Sequence, residues 1–259
     1  MDHTAVLALY DRFERREAAA DGRRVERTDH LTRHVGAPGQ PSWIAWSDLA
    51  GADLEAAIAG EVGYWTALGQ EVEWKHFARD APPDLLARLA AAGFEPEEPE
   101  VLLVLDLGAP PAWVGEDAGH DVRAFGLEGV EDVAAVMAAV WPGEVAAFRE
   151  RFTNEVEAAP ERTRFYVAYV DGQPAAAAWA QASGPASPFL GLWGGATVPA
   201  HRGRGLYRAL VVVRARDALA GGYRFATVDA GPMSAPILQR LGFVQLTTTT
   251  PCVFRPPRP

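Results

Sequence analysis

One turn near the C-terminal end of the chain limits its possible fold more than any other segment. Residues 202–205 (Arg-Gly-Arg-Gly) follow an apolar run that ends at Val198, and Gly205 begins a segment, 205–220, with the apolar period of a helix. The first N–H groups of such a helix have no partner within the helix, and they carry partial positive charge. The glycines let the backbone approach a ligand closely, and the arginines add charge. The sequence therefore predicts a turn that holds a pyrophosphate group.

Two other nucleotide-binding motifs are excluded at this turn. A dinucleotide-binding turn needs three glycines at a different spacing, and the phosphate loop of nucleoside triphosphatases ends in Gly-Lys-Ser/Thr, which is absent here. An ordinary strand–helix connection, in which glycine serves only the backbone conformation, is the alternative that the spacing leaves open.

The distribution of charge points to the same region. The 259 residues carry 34 acidic and 24 basic side chains, a net charge of −10, which disfavours nucleic acid as a partner. Residues 1–110 hold 20 of the acids and 10 of the bases, whereas the last sixty residues hold nine arginines and two acids. A local basic segment of this kind suits a small anionic ligand. A solvated helix face and a basic tail are the alternative explanation for these arginines.

Cysteine content and hydropathy set further expectations. Cys252 is the single cysteine, so an internal disulfide and a cysteine-based metal site are excluded, and we expect no bound metal. Apolar residues make up 49% of the chain, which is enough for a packed core. The longest nearly unbroken apolar stretch is far shorter than the roughly 20 residues of a membrane span, and the N-terminus does not resemble a signal peptide. We therefore expect a cytoplasmic protein without a membrane partner.

The order of periodic segments predicts a mixed α/β fold with two domains. A Pro- and Gly-rich segment without period, residues 109–119, is typical of a linker, and it separates residues 1–108 from residues 120–259. In the second part, Asp171-Gly172 predicts a hairpin between two strands, and a strand–helix–strand–helix–strand order follows. In the first part the pattern predicts a helix near 4–18 and a strand near 24–33.

A short similarity links the two parts. Residues 85–94 (LLARLAAAGF) resemble residues 237–243 (ILQRLGF), because both are short amphipathic helices that end in Gly-Phe. Glycine directly after the last helical residue suits a left-handed C-terminal cap. Together with the linker, this similarity suggests two related domains.

The turn and the second of these helices carry a resemblance to a known family. Residues 202–205, preceded by Val198-Pro199 and followed by a leucine-bearing helix, resemble the acetyl-CoA motif of the GNAT superfamily of N-acetyltransferases. Residues 234–243 (SAPILQRLGF) resemble the second motif of that superfamily. The match covers roughly residues 122–254, whereas in the first part only residues 74–107 are similar and no cofactor loop occurs. The chain thus resembles a tandem GNAT protein with two α/β domains, each a mixed, partly antiparallel sheet flanked by helices, whose N-terminal copy, residues 1–108, has lost its cofactor loop.

The resemblance implies a site for acetyl-CoA as co-substrate. The N–H of Val198 would stabilise the oxyanion, and the strand end and the turn would bind pantetheine and pyrophosphate. Asp229, which ends the next strand, is the best candidate for a general base, although a turn or capping role is the alternative. Ser234 would lie near the cofactor or cap the following helix. The implied cofactor-binding residues are Ala196, Thr197, Val198, Arg202, Gly203, Arg204, Gly205, Leu206, Tyr207 and Ser234.

Departures from the family pattern affect the predicted chemistry. Tyr207 stands where the family keeps a small residue, and Leu238 stands where a tyrosine commonly protonates the departing thiolate. The preferred interpretation is transfer of an acetyl group from acetyl-CoA to a small-molecule or peptide amine by direct attack. The alternatives are a non-catalytic CoA-binding sensor or interaction module and, more weakly, transfer to a hydroxyl or another nucleophile.

Overall fold

The computed structural model of the chain describes residues 1–19, 22–143 and 145–257. The chain divides into two compact units. The first consists of Met1–Leu103, Asp229–Pro236 and Gln245–Pro259, and the second of Val104–Val228 and Ile237–Val244. The predicted linker, 109–119, holds a short 3-10 helix, Ala112–Gly115. The domain boundary at this linker stays a prediction.

The first unit contains a mixed sheet with helices. Strands 1 to 3 are antiparallel neighbours, the third and fourth are parallel, and the C-terminal strand pairs antiparallel with the fourth. The fifth, very short strand also pairs with the C-terminal one. The elements are α1 (His3–Tyr10), a π-helical turn (Asp11–Arg16), β1 (Arg24–Arg27), β2 (Leu31–Val35), β3 (Trp43–Ser47), α2 (Leu54–Leu68), β4 (Val72–Phe77), α3 (Leu85–Ala91), β5 (Glu95–Pro96), β6 (Glu100–Asp106) and the C-terminal β12 (Val244–Phe254).

Two expectations for the first unit are wrong. The strand predicted near 24–33 is two strands, because the hydroxyl of Thr28 accepts the N–H groups of His30 and Leu31 and turns the chain. The helix predicted near 4–18 is α-helical only to Tyr10 and continues as a π-helix. The helix α2 begins and ends as its sequence suggests, since Asp53 caps its N-terminus and Gly69 its C-terminus with a φ of 62°.

The second unit also contains a mixed sheet. Its strand order is β11-β10-β9-β8-β7, with antiparallel pairs except for the parallel pair of β10 and β11. The elements are β7 (Asp121–Phe125), α4 (Val130–Val140), α5 (Val145–Ala158), β8 (Thr163–Val170), β9 (Gln173–Ala182), β10 (Phe189–Thr197), α6 (Leu206–Ala220), β11 (Phe225–Ala230) and α7 (Ala235–Arg240). The predicted fold class, mixed and partly antiparallel sheets flanked by helices, is confirmed. Glu144, which precedes α5 in the sequence, lies outside the described residues.

Local signals in the sequence are confirmed at two kinds of turn. Asp171 and Gly172 have φ values of 50° and 76°, as a type I′ hairpin turn between β8 and β9 requires. Gly93 and Gly242 have φ values of 96° and 93° and cap α3 and α7. The N–H of the phenylalanine that follows each glycine donates to the carbonyl five residues earlier, at 3.0 and 3.1 Å. The two helix ends therefore share one capping geometry, as their similar sequences predict.

Among the described residues, no helix combines the length and the apolar character that a membrane span needs. The same residues contain no group of three or more His, Cys, Asp or Glu side chains placed to hold a metal ion.

Candidate acyl-CoA site

The strand β10 loses one of its two neighbours partway along its length. Residues 189–191 pair in parallel with residues 225–227 of β11, and within the described residues this register does not continue beyond Gly191. On its other side β10 stays paired with β9 as far as Thr197. Residues 192–197 therefore have one backbone edge without a parallel strand, and we call this the open edge of β10. An edge of unpaired N–H and C=O groups can receive an extended ligand as an added strand.

The hydrogen bonds of β9 show which backbone groups face the open edge. The N–H of Val198 donates to the carbonyl of Ala175 at 2.9 Å, so it belongs to the ladder with β9. Hydrogen-bonded and non-hydrogen-bonded pairs alternate in an antiparallel ladder, and the next pair is Thr197 with Ala176. The N–H and C=O of Thr197 therefore face the open edge. The Arg202 guanidinium donates to this carbonyl at 3.2 Å. The family resemblance assigns the oxyanion contact to the N–H of Val198, whereas the N–H that faces the open edge is that of Thr197.

A β-bulge interrupts β10 at the start of its open edge. The register with β9 shifts between Trp193 and Ala196. Gly194, within the bulge, has a φ of 62°, which L-residues with a side chain rarely adopt. A Cβ atom at this position would lie 1.7 Å from the ring of Trp179. Both the backbone conformation and the tryptophan ring therefore require glycine here.

The bulge leads to a testable prediction about stability. Gly194→Ala is expected to lower the free energy of unfolding by about 2–4 kcal/mol, because it combines overpacking against Trp179 with a left-handed backbone. Gly172→Ala is the matched control, since Gly172 has a φ of 76° and no described atom within 4 Å of its added Cβ. Urea unfolding of both variants measures the difference. Equal losses in the two variants would show that the Trp179 contact adds nothing.

Tyr207 packs against the second glycine of the bulge. A Cβ atom on Gly195 would lie 2.5 Å from Cε2 of the Tyr207 ring. The family pattern has a small residue at position 207. In this chain the residue at 207 is large, and the small residue is Gly195 on the strand. The large ring of Tyr207 and the small Gly195 are therefore complementary.

The turn before α6 presents its backbone without side-chain caps. A short 3-10 helix, Pro199–His201, precedes it, and Gly205 is the N-terminal cap with a φ of 85° and no side-chain hydrogen bond to the helix. An added Cβ on Gly205 would lie 3.3 Å from Nε2 of His120, and on Gly203 it would meet no described atom within 4 Å. The next residue, Leu206, is 2% exposed and anchors the helix start in the core. The first N–H groups of α6 are thus held in place, and the two glycines that precede them carry no side chain that could cover them.

Three arginines on this turn and its helix are exposed or half-buried. Arg204 donates to Nδ1 of His201 at 3.0 Å, and Arg208 forms a solvent-exposed ion pair with Glu116 at 3.5 Å. An exposed ion pair at this distance contributes little stability and is easily exchanged for another anion. With Arg202 at the open edge, these guanidinium groups give the turn the positive charge that an anionic ligand needs.

Asp229, near the end of β11, and Ser234, directly before α7, fall within the residue ranges of the first unit, whereas most residues of β11 and α7 belong to the second. The Asp229 side chain is 2% exposed, and its Oδ2 forms an ion pair with Nζ of Lys75, which is 154 positions earlier in the chain. Its Oδ1 has no hydrogen-bond partner among the described residues. Ser234 donates through its hydroxyl to the carbonyl of Gly231 at 3.3 Å, directly before α7. The structure thus gives Asp229 a cationic partner, Lys75, that the sequence did not predict.

Two glutamates share the electrostatic environment of this pair. The pKa of Lys75 is raised: burial alone would lower it, but Asp229 and Glu73 outweigh that effect. Burial raises the pKa of Glu73 and of Glu100, the carboxylate of Asp229 adds to both shifts, and Lys75 opposes them. The sequence does hold one sign of Lys75 and Glu73. They alternate with the buried Trp74 along β4, which places both on the strand face opposite to Trp74.

One family model matches a range of the chain that lies mostly in the second unit. Residues 133–243 match the family model described as "Acetyltransferase (GNAT) family". This range contains the bulge, the open edge of β10 and the turn before α6. A comparison of the sequence with curated proteins finds no match.

Solved structures resemble the chain over nearly its whole length. A GCN5-related N-acetyltransferase from Kribbella flavida is 19% identical, with 97% of this chain and 93% of that chain covered and a TM-score of 0.65. A tandem GNAT protein from the clavulanic acid biosynthesis pathway is 16% identical, with 98% and 88% covered and a TM-score of 0.60. A putative GNAT-family acetyltransferase from Novosphingobium aromaticivorans is 22% identical, with 88% and 89% covered and a TM-score of 0.56. At these identities the likeness is one of fold.

Proposed function

We propose that this chain, which carries a GNAT acetyltransferase domain over residues 133–243, moves an acetyl group from acetyl-CoA to a primary amine of a small molecule or peptide. The family supports acyl transfer from acyl-CoA to an amine in general. The observation that carries the proposal is the open edge of β10, which leads directly into the uncapped, glycine-lined start of α6. An extended thioester arm with a pyrophosphate at its end fits this arrangement of backbone groups.

The residues of the turn fit a pyrophosphate group on their own geometry. A Cβ on Gly203 would fill open space, and a Cβ on Gly205 would lie 3.3 Å from His120, so the glycines leave room that a side chain would take. We propose that the N–H groups of residues 202–207 hold the pyrophosphate and that Arg204 or Arg208 binds an outer phosphate. Acetyl-CoA supplies the activated acyl group.

The open edge assigns the backbone contacts of the acyl arm to Thr197. Its N–H and C=O face that edge, whereas the N–H of Val198 is used in the ladder with β9. By the same alternation the backbone of Ala196 faces β9, and its buried methyl group lines the core. We therefore propose the N–H of Thr197 as the donor that stabilises negative charge developing on the thioester oxygen as the amine attacks. Arg202 would release the Thr197 carbonyl for the arm.

Few side chains are available to transfer protons in the proposed reaction. Asp229 remains the predicted general base, and its Oδ1 is the oxygen without a hydrogen-bond partner among the described residues. The other oxygen, Oδ2, is held in the ion pair with Lys75. Leu238 is fully buried and can donate no proton, so water or another group would protonate the thiolate. Catalysis would then rest mainly on positioning and on oxyanion stabilisation.

These two observations, the Lys75 ion pair of Asp229 and the buried Leu238, also favour a second candidate function. A non-catalytic CoA-binding sensor or interaction module would need the turn and the open edge but no base or acid. Binding of CoA is common to both functions, and only turnover separates them.

We also propose that residues 1–108 are a degenerate GNAT-like copy without a cofactor loop, joined through 109–119 to the competent copy in 120–259. The shared cap of α3 and α7 supports this proposal. The mixed sheet of the first unit, which has a parallel pair between β3 and β4, supports it as well.

Calorimetric titration with acetyl-CoA and a thiol-release assay test the function. We expect saturable binding, followed by release of free thiol with at least one member of a panel of polyamines, amino sugars, amino acids and peptides. Absence of binding up to millimolar acetyl-CoA would contradict both candidate functions. Binding without thiol release across the whole panel would favour the sensor.

A further inference from the structure

A buried arginine lies behind the bulge of β10. Arg214 is in the middle of α6, is 2% exposed, and has no carboxylate in ion-pair distance among the described residues. Its flanking residues in the helix, Val213 and Ala215, are buried and apolar. A charged side chain in such surroundings is costly unless its donors are satisfied. The burial of Arg214 therefore calls for a specific role.

The donors of Arg214 are directed at the bulge. Nε donates to the carbonyl of Leu210 at 3.1 Å, one turn earlier in α6. Nη1 donates to the carbonyls of Trp179 and Trp193, each at 3.2 Å. These two tryptophans lie opposite each other in β9 and β10, and the register shifts directly after this pair. The guanidinium thus bonds to the last carbonyls of the regular ladder, where the bulge begins.

Burial lowers the pKa of Arg214, and the hydroxyl groups of Tyr207 and Tyr166 oppose this shift. Tyr207 is the residue whose ring packs on Gly195 within the same bulge. The side chains at positions 207 and 214 lie two turns apart on the same face of α6, and both contact the bulge. Tyr207 fills the space beside the bulge, and Arg214 bonds to its backbone.

We propose that Arg214 is a positioning residue that holds the bulge at residues 193–196 and thereby fixes the direction of the open edge of β10. The effect of Arg214 on catalysis rests on the proposed function, since Thr197 lies on that edge. The effect of Arg214 on the backbone is independent of the proposed function, because the bulge exists without any ligand. A methionine or leucine would fill the same core volume, but neither would bond to the two carbonyls.

The test compares Arg214→Met and Arg214→Lys with Arg216→Met, which removes an exposed arginine two residues later in the same helix. Amide hydrogen exchange is measured by segment, without ligand. In Arg214→Met we expect exchange over residues 192–197 to rise by roughly tenfold or more, because charge-assisted hydrogen bonds to the bulge are lost, while β8 stays protected. Arg214→Lys should restore part of the protection, and Arg216→Met should behave as the wild type.

Kinetics give the second readout. With an amine that supports turnover, we expect Arg214→Met to lower kcat by roughly tenfold or more with a smaller change in the KM for acetyl-CoA, because the turn before α6 is intact. Unchanged exchange over 192–197, or an equal rise throughout the second unit, would overturn the proposal. A wild-type protein without turnover would contradict the proposed function, and the exchange experiment would still decide the role of Arg214. If Arg214→Met does not fold, Arg214→Lys carries the same comparison.

Discussion

Gly205→Glu is expected to abolish the binding of acetyl-CoA. The substitution places a side chain and a negative charge at the N-terminal cap of α6, where the proposed pyrophosphate contacts converge. Each hydrogen bond between a backbone N–H and a charged phosphate oxygen contributes about 1.5–3 kcal/mol, so the loss of two of them lowers affinity by about 100-fold or more. Repulsion between the carboxylate and the phosphates adds to this loss. Calorimetric titration measures the effect.

Gly222→Glu is the matched control for this experiment. Gly222 follows the C-terminal end of α6, has a φ of 82° close to the 85° of Gly205, and has no described atom within 4 Å of its added Cβ. The two variants therefore share the same chemical change and the same backbone penalty at opposite ends of one helix. We expect Gly222→Glu to keep its affinity for acetyl-CoA. Equal affinities of the two variants would contradict the assignment of the pyrophosphate to the turn.

The second large effect is expected on stability, at the ion pair of Lys75 and Asp229. Asp229→Asn removes the carboxylate that pairs with the ammonium group of Lys75, and Lys75→Met removes the cationic partner of a carboxylate that is 2% exposed. Removal of one member of a buried pair costs about 3–5 kcal/mol of unfolding free energy. The double variant removes both charges of the pair, so we expect it to be more stable than the sum of the two losses predicts, with a coupling of at least about 1 kcal/mol. Denaturant unfolding of the four proteins measures this cycle.

The same cycle separates two roles of Asp229. If the carboxylate serves only the structure, turnover lost in Asp229→Asn should return together with stability in the double variant. If it is the general base, turnover stays low in the double variant although stability returns. As a control, Asp84→Asn removes one partner of the exposed ion pair with Arg88 and should leave the unfolding midpoint nearly unchanged. Strictly additive losses in the cycle would show that Lys75 and Asp229 do not stabilise each other.

Features that depend on neighbours in the chain were predictable. The type I′ turn at Asp171-Gly172 follows from two residues that tolerate positive φ, and the caps at Gly93 and Gly242 follow from glycine directly after a short amphipathic helix. The turn at residues 202–205 belongs to the same class, because a strand, two glycines and an apolar stripe stand next to one another. The structure places the turn and the start of α6 within one residue of the prediction.

Features that depend on pairing across the sheet were not predictable. The choice between Val198 and Thr197 as the N–H on the open edge depends on the register with β9, and a shift of one residue reverses the direction of every backbone group. The pattern also gave no sign of the bulge, because Gly194 and Gly195 are needed for contacts with rings at positions 179 and 207. The partner of Asp229 is 154 positions away and is the one lysine of the chain.

By itself, the sequence determined the mixed α/β class, the hairpin, the helix caps and the turn that makes the chain a candidate acyl-CoA protein. Each of these features results from residues within one or two turns of each other, whose conformational preferences and apolar period act locally. Only the tertiary structure decided which backbone groups face the open edge of β10, that Lys75 neutralises Asp229, and that Arg214 bonds to the bulge. These are contacts between segments distant in the chain, and the register and packing that create them are fixed when the whole core forms.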